Sequence, residues 1–338
     1  MAARRFPILF IAPSRIGDAV LASGLVRTLS EEVENARFTI AASALTAPMF
    51  AETPGLARLE IIDKQPLGLH WLSLWRRTRG KPWGLVVDLR GSALAALLRP
   101  MRRAVKRKSP LGAHKVIEAA SLLRLEETPP APFLFTSDET RGRAASLTAG
   151  RGPILAIGPA SHWLGKAWPA ERYATLARAL LGAGGALEGG RLMVVGGPGD
   201  RHAASPVLAA VPRNRVIDLV GRESLLGVYA ALAHARLYVG SDSGLMHMAA
   251  AAGAPTLGLF GPSDERLYGP WGAQTAVVRG PRRFEDFLAL DPKLNQAIGH
   301  MLDLKVESVL QAATTLLART GAAAAPALTP QAETGVSR

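Results

Sequence analysis

Residues 237–255 read LYVGSDSGLMHMAAAAGAP, and the way this stretch folds decides the architecture of the chain. An apolar run stops at Gly240, and Ser241, Asp242 and Ser243 crowd together after it. An Ala-rich run of helical character comes next, with His247 near its start. A buried strand that passes through a short polar loop into a helix is the repeating unit of a parallel α/β sheet. Ser241, Asp242 and Ser243 are all N-cap residue types. The free amides and dipole of a helix starting there favour phosphate, and Ser243 and His247, four apart, share its face. The same letters fit a plain capped helix that tolerates a histidine. They also fit a Gly-x-Asp-x-Gly nucleophile elbow over residues 240–244, with Asp242 as a covalent nucleophile and His300 as its distant partner.

The strand–helix alternation extends outward in both directions. Ahead of the opening stretch, PILAIGPAS, RLMVVGGPGD and the helical runs AERYATLARALLGAG and SLLGVYAALAHA form one series, and PTLGLFGPSD continues it. The first half repeats the pattern. FPILFIAPS leads into IGDAVLASGLVRTLSEE, read as one helix because Val20, Leu21, Gly24, Leu25, Thr28 and Leu29 recur at helical spacing. RFTIAAS, LEIID and WGLVVDLRG are further strands. The chain of 338 residues is long for one core. The Pro-rich EETPPAPFLFTSDE and the segment LTAGRGP suggest a boundary, giving two doubly wound α/β units over residues 1–147 and 151–320. Residues 321–338 are low in complexity and are expected to be disordered. In such folds ligands bind beyond the carboxyl ends of the strands, so the cleft between two units is the natural site.

Composition narrows the chemistry. The absence of Cys removes thiolate nucleophiles, disulfides and Cys-based metal centres. No run of 18 uncharged apolar residues argues for a spanning helix. Pro7, Arg15 and Asp18 interrupt the N-terminal apolar run too early for a signal peptide, which leaves residues 8–12 as a first strand. Residues 1–150 hold 22 Lys/Arg against 13 Asp/Glu, a net of +9 of the chain's +13, so an anionic partner is expected on the first half. The basic residues cluster in WRRTRGK (76, 77, 79 and 81), near Trp71, Trp75 and Trp83, and in RPMRRAVKRK (99, 102, 103 and 106–108). No nucleic-acid fold signature accompanies them, which favours anionic lipid or phosphosugar over RNA.

Three further loops are candidates. Lys166, between a strand and a helix that Pro169 opens, can reach a phosphate. Gly196, Gly197 and Gly199 permit close approach of backbone to ligand, and Asp200 can accept hydrogen bonds from ribose. Gly17 and Asp18 open the first helix, where a carboxylate is a cap or, facing a cleft, a general base.

Together these motifs resemble glycosyltransferase family 9, the ADP-heptose:lipopolysaccharide heptosyltransferase family. VGSDSGLMHMAAAAGAPTLGLFGPSD is similar to the family's Asp-Thr/Ser-Gly, His-x-x-x-Ala and Gly-Pro-Thr/Ser-Asp pattern, with Ser243 where Thr is common. SRIGDAVLASGLVRTL resembles its N-terminal Gly-Asp segment and GKAWPAERYATLA its Lys-x-Trp-Pro helix entry. VVDLRG stands where the family shows Asp-Leu-Gln-Gly, with Arg90 in place of Gln, and HKVIEAASLL resembles the family's next segment. The resemblance covers most of residues 6–318. It implies a GT-B fold, two Rossmann-like domains facing each other across a cleft, and inverting, metal-independent transfer with no cofactor. It implies Asp18 as the base and Lys166, Asp200, Asp242, Ser243, Gly244 and His247 on the nucleotide-sugar; Gly197 is a further candidate beside the nucleotide-sugar, and Arg15, Gly17 and Arg90 are candidates toward the acceptor. The expected partners are a nucleotide-sugar donor and an anionic glycolipid or glycan acceptor, without nucleic acid. The expected place is the cytoplasm, with peripheral contact to the inner membrane through the basic clusters. A nucleotide-sugar epimerase or hydrolase on the same fold, and a non-catalytic anion-binding module, are the competing readings.

Overall fold

A computed structural model of the chain describes residues 5–106, 112–294 and 298–321. Arg107 and Lys108 of the second basic cluster, and residues 322–338 of the tail, lie outside them.

The first half runs β1 (Phe6–Ile11), α1 (Ile16–Ala22), α2 (Gly24–Glu32), β2 (Ala36–Ala42), β3 (Leu56–Ile61), α3 (Leu69–Thr78), β4 (Leu85–Asp88), α4 (Leu94–Leu97), β5 (Arg102–Val105), α5 (Lys115–Ala120) and α6 (Asp138–Thr148). The second runs β6 (Ile154–Gly158), α7 (Ala170–Leu181), β7 (Arg191–Val194), α8 (Arg201–Leu208), β8 (Val216–Asp218), α9 (Leu225–Leu232), β9 (Leu237–Ser241), α10 (Gly244–Ala251), β10 (Thr256–Phe260), α11 (Glu265–Tyr268), β11 (Thr275–Arg279), α12 (Phe284–Leu290) and α13 (Val306–Arg319).

The strands form two sheets, ordered β3-β2-β1-β4-β5 and β11-β10-β9-β6-β7-β8, and every pairing is parallel. Both orders are doubly wound, and strand order reverses between β1 and β4 and between β6 and β9. These two points of reversal locate the ligand crevices. Alternation along β1 sends Ile8 and Phe10 into one apolar cluster and Leu9 and Ile11 into another. The first cluster runs unbroken from Phe10, Phe38 and Ile40 to Tyr229 on α9 and Met246 on α10, so the two halves share packed apolar contact. α6 also packs against α9 of the second half, and Arg143 on it pairs with Glu223. No helix among the described residues is long and apolar enough to cross a membrane.

The run read as a single helix over residues 16–32 is two helices broken at Ser23. The break is imposed from outside the run. A Cβ at Gly24 would lie 2.6 Å from the carbonyl oxygens of Pro130 and Ala131, and the Ser23 hydroxyl accepts the Phe133 amide at 2.9 Å while donating to Val20. The Pro-rich segment is therefore not a solvated approach to a linker, for Leu134 and Phe135 are buried within the first cluster.

Candidate functional site

The opening stretch folds as β9, a short loop and α10. α10 begins at Gly244 after Ser243 in extended backbone, and the Ser243 side chain makes no cap bond. Gly158 and Gly240 face each other at the ends of β6 and β9, at the point of strand reversal. A Cβ on either would sit within 2.4 Å of the Tyr238 hydroxyl, so glycine at both positions makes room for that buried ring.

Three side chains meet beyond these strands. Lys166, in the turn after β6, places Nζ 2.5 Å from Asp242 Oδ2. His247 Nε2 lies 3.6 Å from the other carboxylate oxygen. Asp242 and His247 are buried and Lys166 is partly exposed. Burial alone would push the Asp242 carboxyl up, but His247 and Lys166 hold it well below the usual carboxylate range. The site keeps a fixed anion, with an ammonium beside it that is open to solvent on one side. His247 Nδ1 is buried with no hydrogen-bond partner among the described residues.

Across the cleft stands α1. A Cβ on Gly17 would lie 3.2 Å from the His247 ring, and one on Gly244 would lie 2.5 Å from Ile16 Cγ2. The first turns of α1, which carries Asp18, and of α10 thus touch through a glycine pair. Asp18 lines a cavity of about 250 Å³ together with Arg90, Lys106, Lys115 and Glu118. Lys106 and Lys115 bracket Glu118 at 2.9 and 2.5 Å, and although burial pushes the Glu118 carboxyl up, they hold it below its ordinary value.

The remaining sequence-derived candidates divide. Arg90 reaches the cavity, but its guanidinium also ties the sheet edge together, donating to Ala12 O at 2.9 Å and Ile62 O at 3.1 Å. Gly17 is at the seam between the halves, and Arg15 is an exposed N-cap residue of α1 with no side-chain cap bond. Asp200 accepts the Gly197 amide at 2.7 Å, so this loop, one strand over at the end of β7, is closed on itself. Pro169 is the N-cap residue of α7, one place ahead of the first turn. His300, the partner in the elbow reading, packs its ring against Trp163 and Phe287.

The sequence reading missed Lys115, Glu118, His114 and Tyr268. Asp264, in the GPSD segment, caps α11 by accepting the Arg266 amide at 3.0 Å, and α11 ends at Tyr268. Burial, Asp18, Asp242 and Glu118, in that order, push the Tyr268 phenol above its ordinary value, which reflects three carboxylates around it. The signal in the sequence for His114, Lys115 and Glu118 was the resemblance of HKVIEAASLL to the family's segment, and Tyr268 had none.

His114 joins the halves a second time. Its Nδ1 accepts the Val116 amide at 3.2 Å, so Nε2 carries the proton and donates to Gly269 O at 2.9 Å. The ring packs 4.8 Å from that of Trp271, and Lys115 lies 5.6 Å from the Tyr268 ring centre. Burial lowers the His114 pKa, the Gly269 bond opposes this, and the charges of His247 and Lys115 lower it further. The folded state therefore prefers neutral His114. Its stabilisation is full above the ordinary value of 6.5 and fades as pH falls from there through the depressed value. His114→Asn, which keeps an acceptor and a donor but does not titrate, will flatten the decline of Tm between neutral and mildly acid pH. A pH series of thermal melts checks this, and parallel curves for the two proteins would refute it.

Two doubly wound parallel sheets, packed together where α1 meets α10, make up a GT-B fold. The chain matches the profile of glycosyltransferase family 9 (heptosyltransferase) over residues 104–288 and belongs to that family. It is 27% identical over 310 residues to lipopolysaccharide heptosyltransferase 2 of Escherichia coli K12, covering 80% of this chain and 87% of that one. It is 26% identical over 312 residues to the enzyme of the same name from Salmonella typhimurium, with the same coverage. The solved structure of an E. coli ADP-heptose LPS heptosyltransferase II shares its fold, with a TM-score of 0.72 at 22% identity over 93% of this chain and 99% of that one. An E. coli heptosyltransferase solved with ADP does so at 0.66, with 18% identity over 92% and 100%.

Proposed function

We propose that this glycosyltransferase moves a heptose from ADP-heptose to a lipopolysaccharide-core acceptor, with inversion and without a metal. The single observation that supports the reading is the contact of α1, which carries Asp18, with α10, which follows the Lys166–Asp242 pair. Family membership supplies the reaction class, and the names of the relatives support a lipopolysaccharide acceptor and a heptose donor.

These groups support one course of reaction. An acceptor hydroxyl in the cavity of Asp18 attacks the anomeric carbon as the bond from that carbon to the diphosphate oxygen breaks. Asp18 takes the hydroxyl proton as the new bond forms. Charge developing on the diphosphate meets the Lys166 ammonium and the amides that open α10, groups already oriented before reaction. An acceptor hydroxyl that reaches the anomeric carbon from the side opposite the departing diphosphate gives inversion. Arg90, Lys106 and Lys115 suit an anionic acceptor. The donor and the lipid-borne acceptor would meet at the cytoplasmic face of the inner membrane.

A thermal-shift comparison of nucleoside diphosphates tests the donor. ADP at about 100 times its Kd should stabilise the fold by about 2.7 kcal/mol, a rise of several degrees in Tm, and UDP and GDP should do much less. Equal shifts with all three would remove the adenine nucleotide from the proposal.

A further inference from the structure

Lys166 ends a short turn, Leu164–Lys166, between β6 and α7. Within it the Lys166 amide donates to Trp163 O and the Ala167 amide to Leu164 O, both at 3.0 Å, and Leu164 is exposed. A turn this short leaves a long, flexible ammonium side chain poorly aimed unless something outside fixes its backbone. That support comes from a stretch far along the chain, residues 300–304, between α12 and α13.

The stretch grips the turn on both sides of Lys166. Ahead of it, the Trp163 ring folds back over the peptide that leads to the lysine, so that a Cβ on Gly165 would lie 2.6 Å from ring atom Cε2. The same ring makes an edge-to-face contact with the His300 imidazole, centroids 6.0 Å apart. His300 is buried and meets the buried Phe287 of α12 at 5.4 Å. Arg282 holds His300 from the backbone, donating to His300 O at 2.8 Å while it pairs with Asp303 at 2.5 Å and lies 4.4 Å from the centre of the Phe287 ring. Behind Lys166, Trp168 Nε1 and the Arg172 guanidinium both donate to Leu304 O, at 2.9 and 2.6 Å. Buried Met301 fastens the stretch to the sheet, its sulfur filling the place a Cβ would take on Gly261 after β10.

We infer that His300 is a positioning residue for the donor: it wedges Trp163 and, through Trp163, sets where Lys166 stands beside Asp242 and the diphosphate. The inference rests on the role proposed above for Lys166. The ring of His300 does this, not its charge. Its printed neighbours are aromatic rings, and Nε2 is buried with no hydrogen-bond partner among the described residues. An ammonium held in place before the ligand arrives loses less freedom on binding and meets developing charge without reorganising.

A double-mutant cycle read by titration calorimetry with ADP tests it. His300→Ala should weaken ADP binding about tenfold in the unmodified chain and less than about twofold when Lys166→Met is already present, because the wedge acts through that ammonium. General damage to the fold would cost the same in both backgrounds. His300→Phe keeps an aromatic edge against Trp163 and should bind ADP within about threefold of the unmodified chain. His300→Gln keeps a polar side chain without the ring, should behave as His300→Ala does, and takes its place in the cycle if melting curves show the alanine variant unfolded. A Lys166→Met protein that binds ADP as the unmodified chain does would overturn the donor reading, and this inference with it. Where Lys166→Met does weaken binding, undiminished affinity in His300→Ala, equal losses in the two backgrounds, or a His300→Phe protein as weak as His300→Ala would each overturn this inference alone.

Discussion

Asp18→Asn will lower kcat by about 10²–10⁴-fold while ADP affinity stays within about twofold. The asymmetry arises from where the residue sits. Asp18 lies on α1 and lines the cavity with Arg90, Lys115 and Glu118, whereas the groups proposed to meet the diphosphate, Lys166 and the start of α10, belong to the second sheet. Asparagine preserves shape and first-turn packing but cannot take a proton. The loss should therefore appear in turnover and not in binding. ADP release in the presence of acceptor measures the first, and titration calorimetry with ADP measures the second. An Asp18→Asn protein that turns over like the unmodified chain would remove Asp18 as the base. Loss of ADP affinity in step with kcat would show that the carboxylate supports the seam with Gly244 and His247.

What could be read from sequence depended on whether the cause of a feature was local. β1, β6, β9 and β10 are buried throughout or nearly so and show as continuous apolar runs bounded by glycine or polar loops. β5, with the letters RRAV, shows two exposed arginines and reads as a charge cluster, because an edge strand buries so little. The helix break at Ser23 was illegible since the carbonyls that force it arrive from residues 130 and 131. The site divides in the same way. Lys166, Asp242 and Asp18 stand where strands end and helices begin, a position that sequence pattern exposes. That Lys166 and Asp242 form a pair, 76 residues apart, depends on β6 lying beside β9. Tyr268, His114, Lys115 and Glu118 join the site only because α5 and α11, from different halves, are packed together.

The Lys166–Asp242 pair carries the second large effect. Lys166→Met will weaken ADP binding by about 30-fold or more, the usual consequence of removing one member of a close charge pair at a ligand contact. It will also destabilise the free protein, since the buried Asp242 carboxylate then keeps only His247 nearby. These two consequences have different causes and can be separated. Adding Asp242→Asn to Lys166→Met removes the uncompensated charge, so Tm should recover most of what the single substitution lost. ADP affinity should not recover, because no cation is restored to the diphosphate. The acid limb sharpens the contrast. Asp242 is held below the ordinary carboxylate value, so the stability it contributes is full above that value and is lost as pH falls through the depressed one. Lys166→Met moves that loss to higher pH, and the double substitution abolishes it. Calorimetric affinity for ADP and melting curves across acid pH read both effects. A Lys166→Met protein that binds ADP as the unmodified chain does would mean that the ammonium serves only to neutralise Asp242.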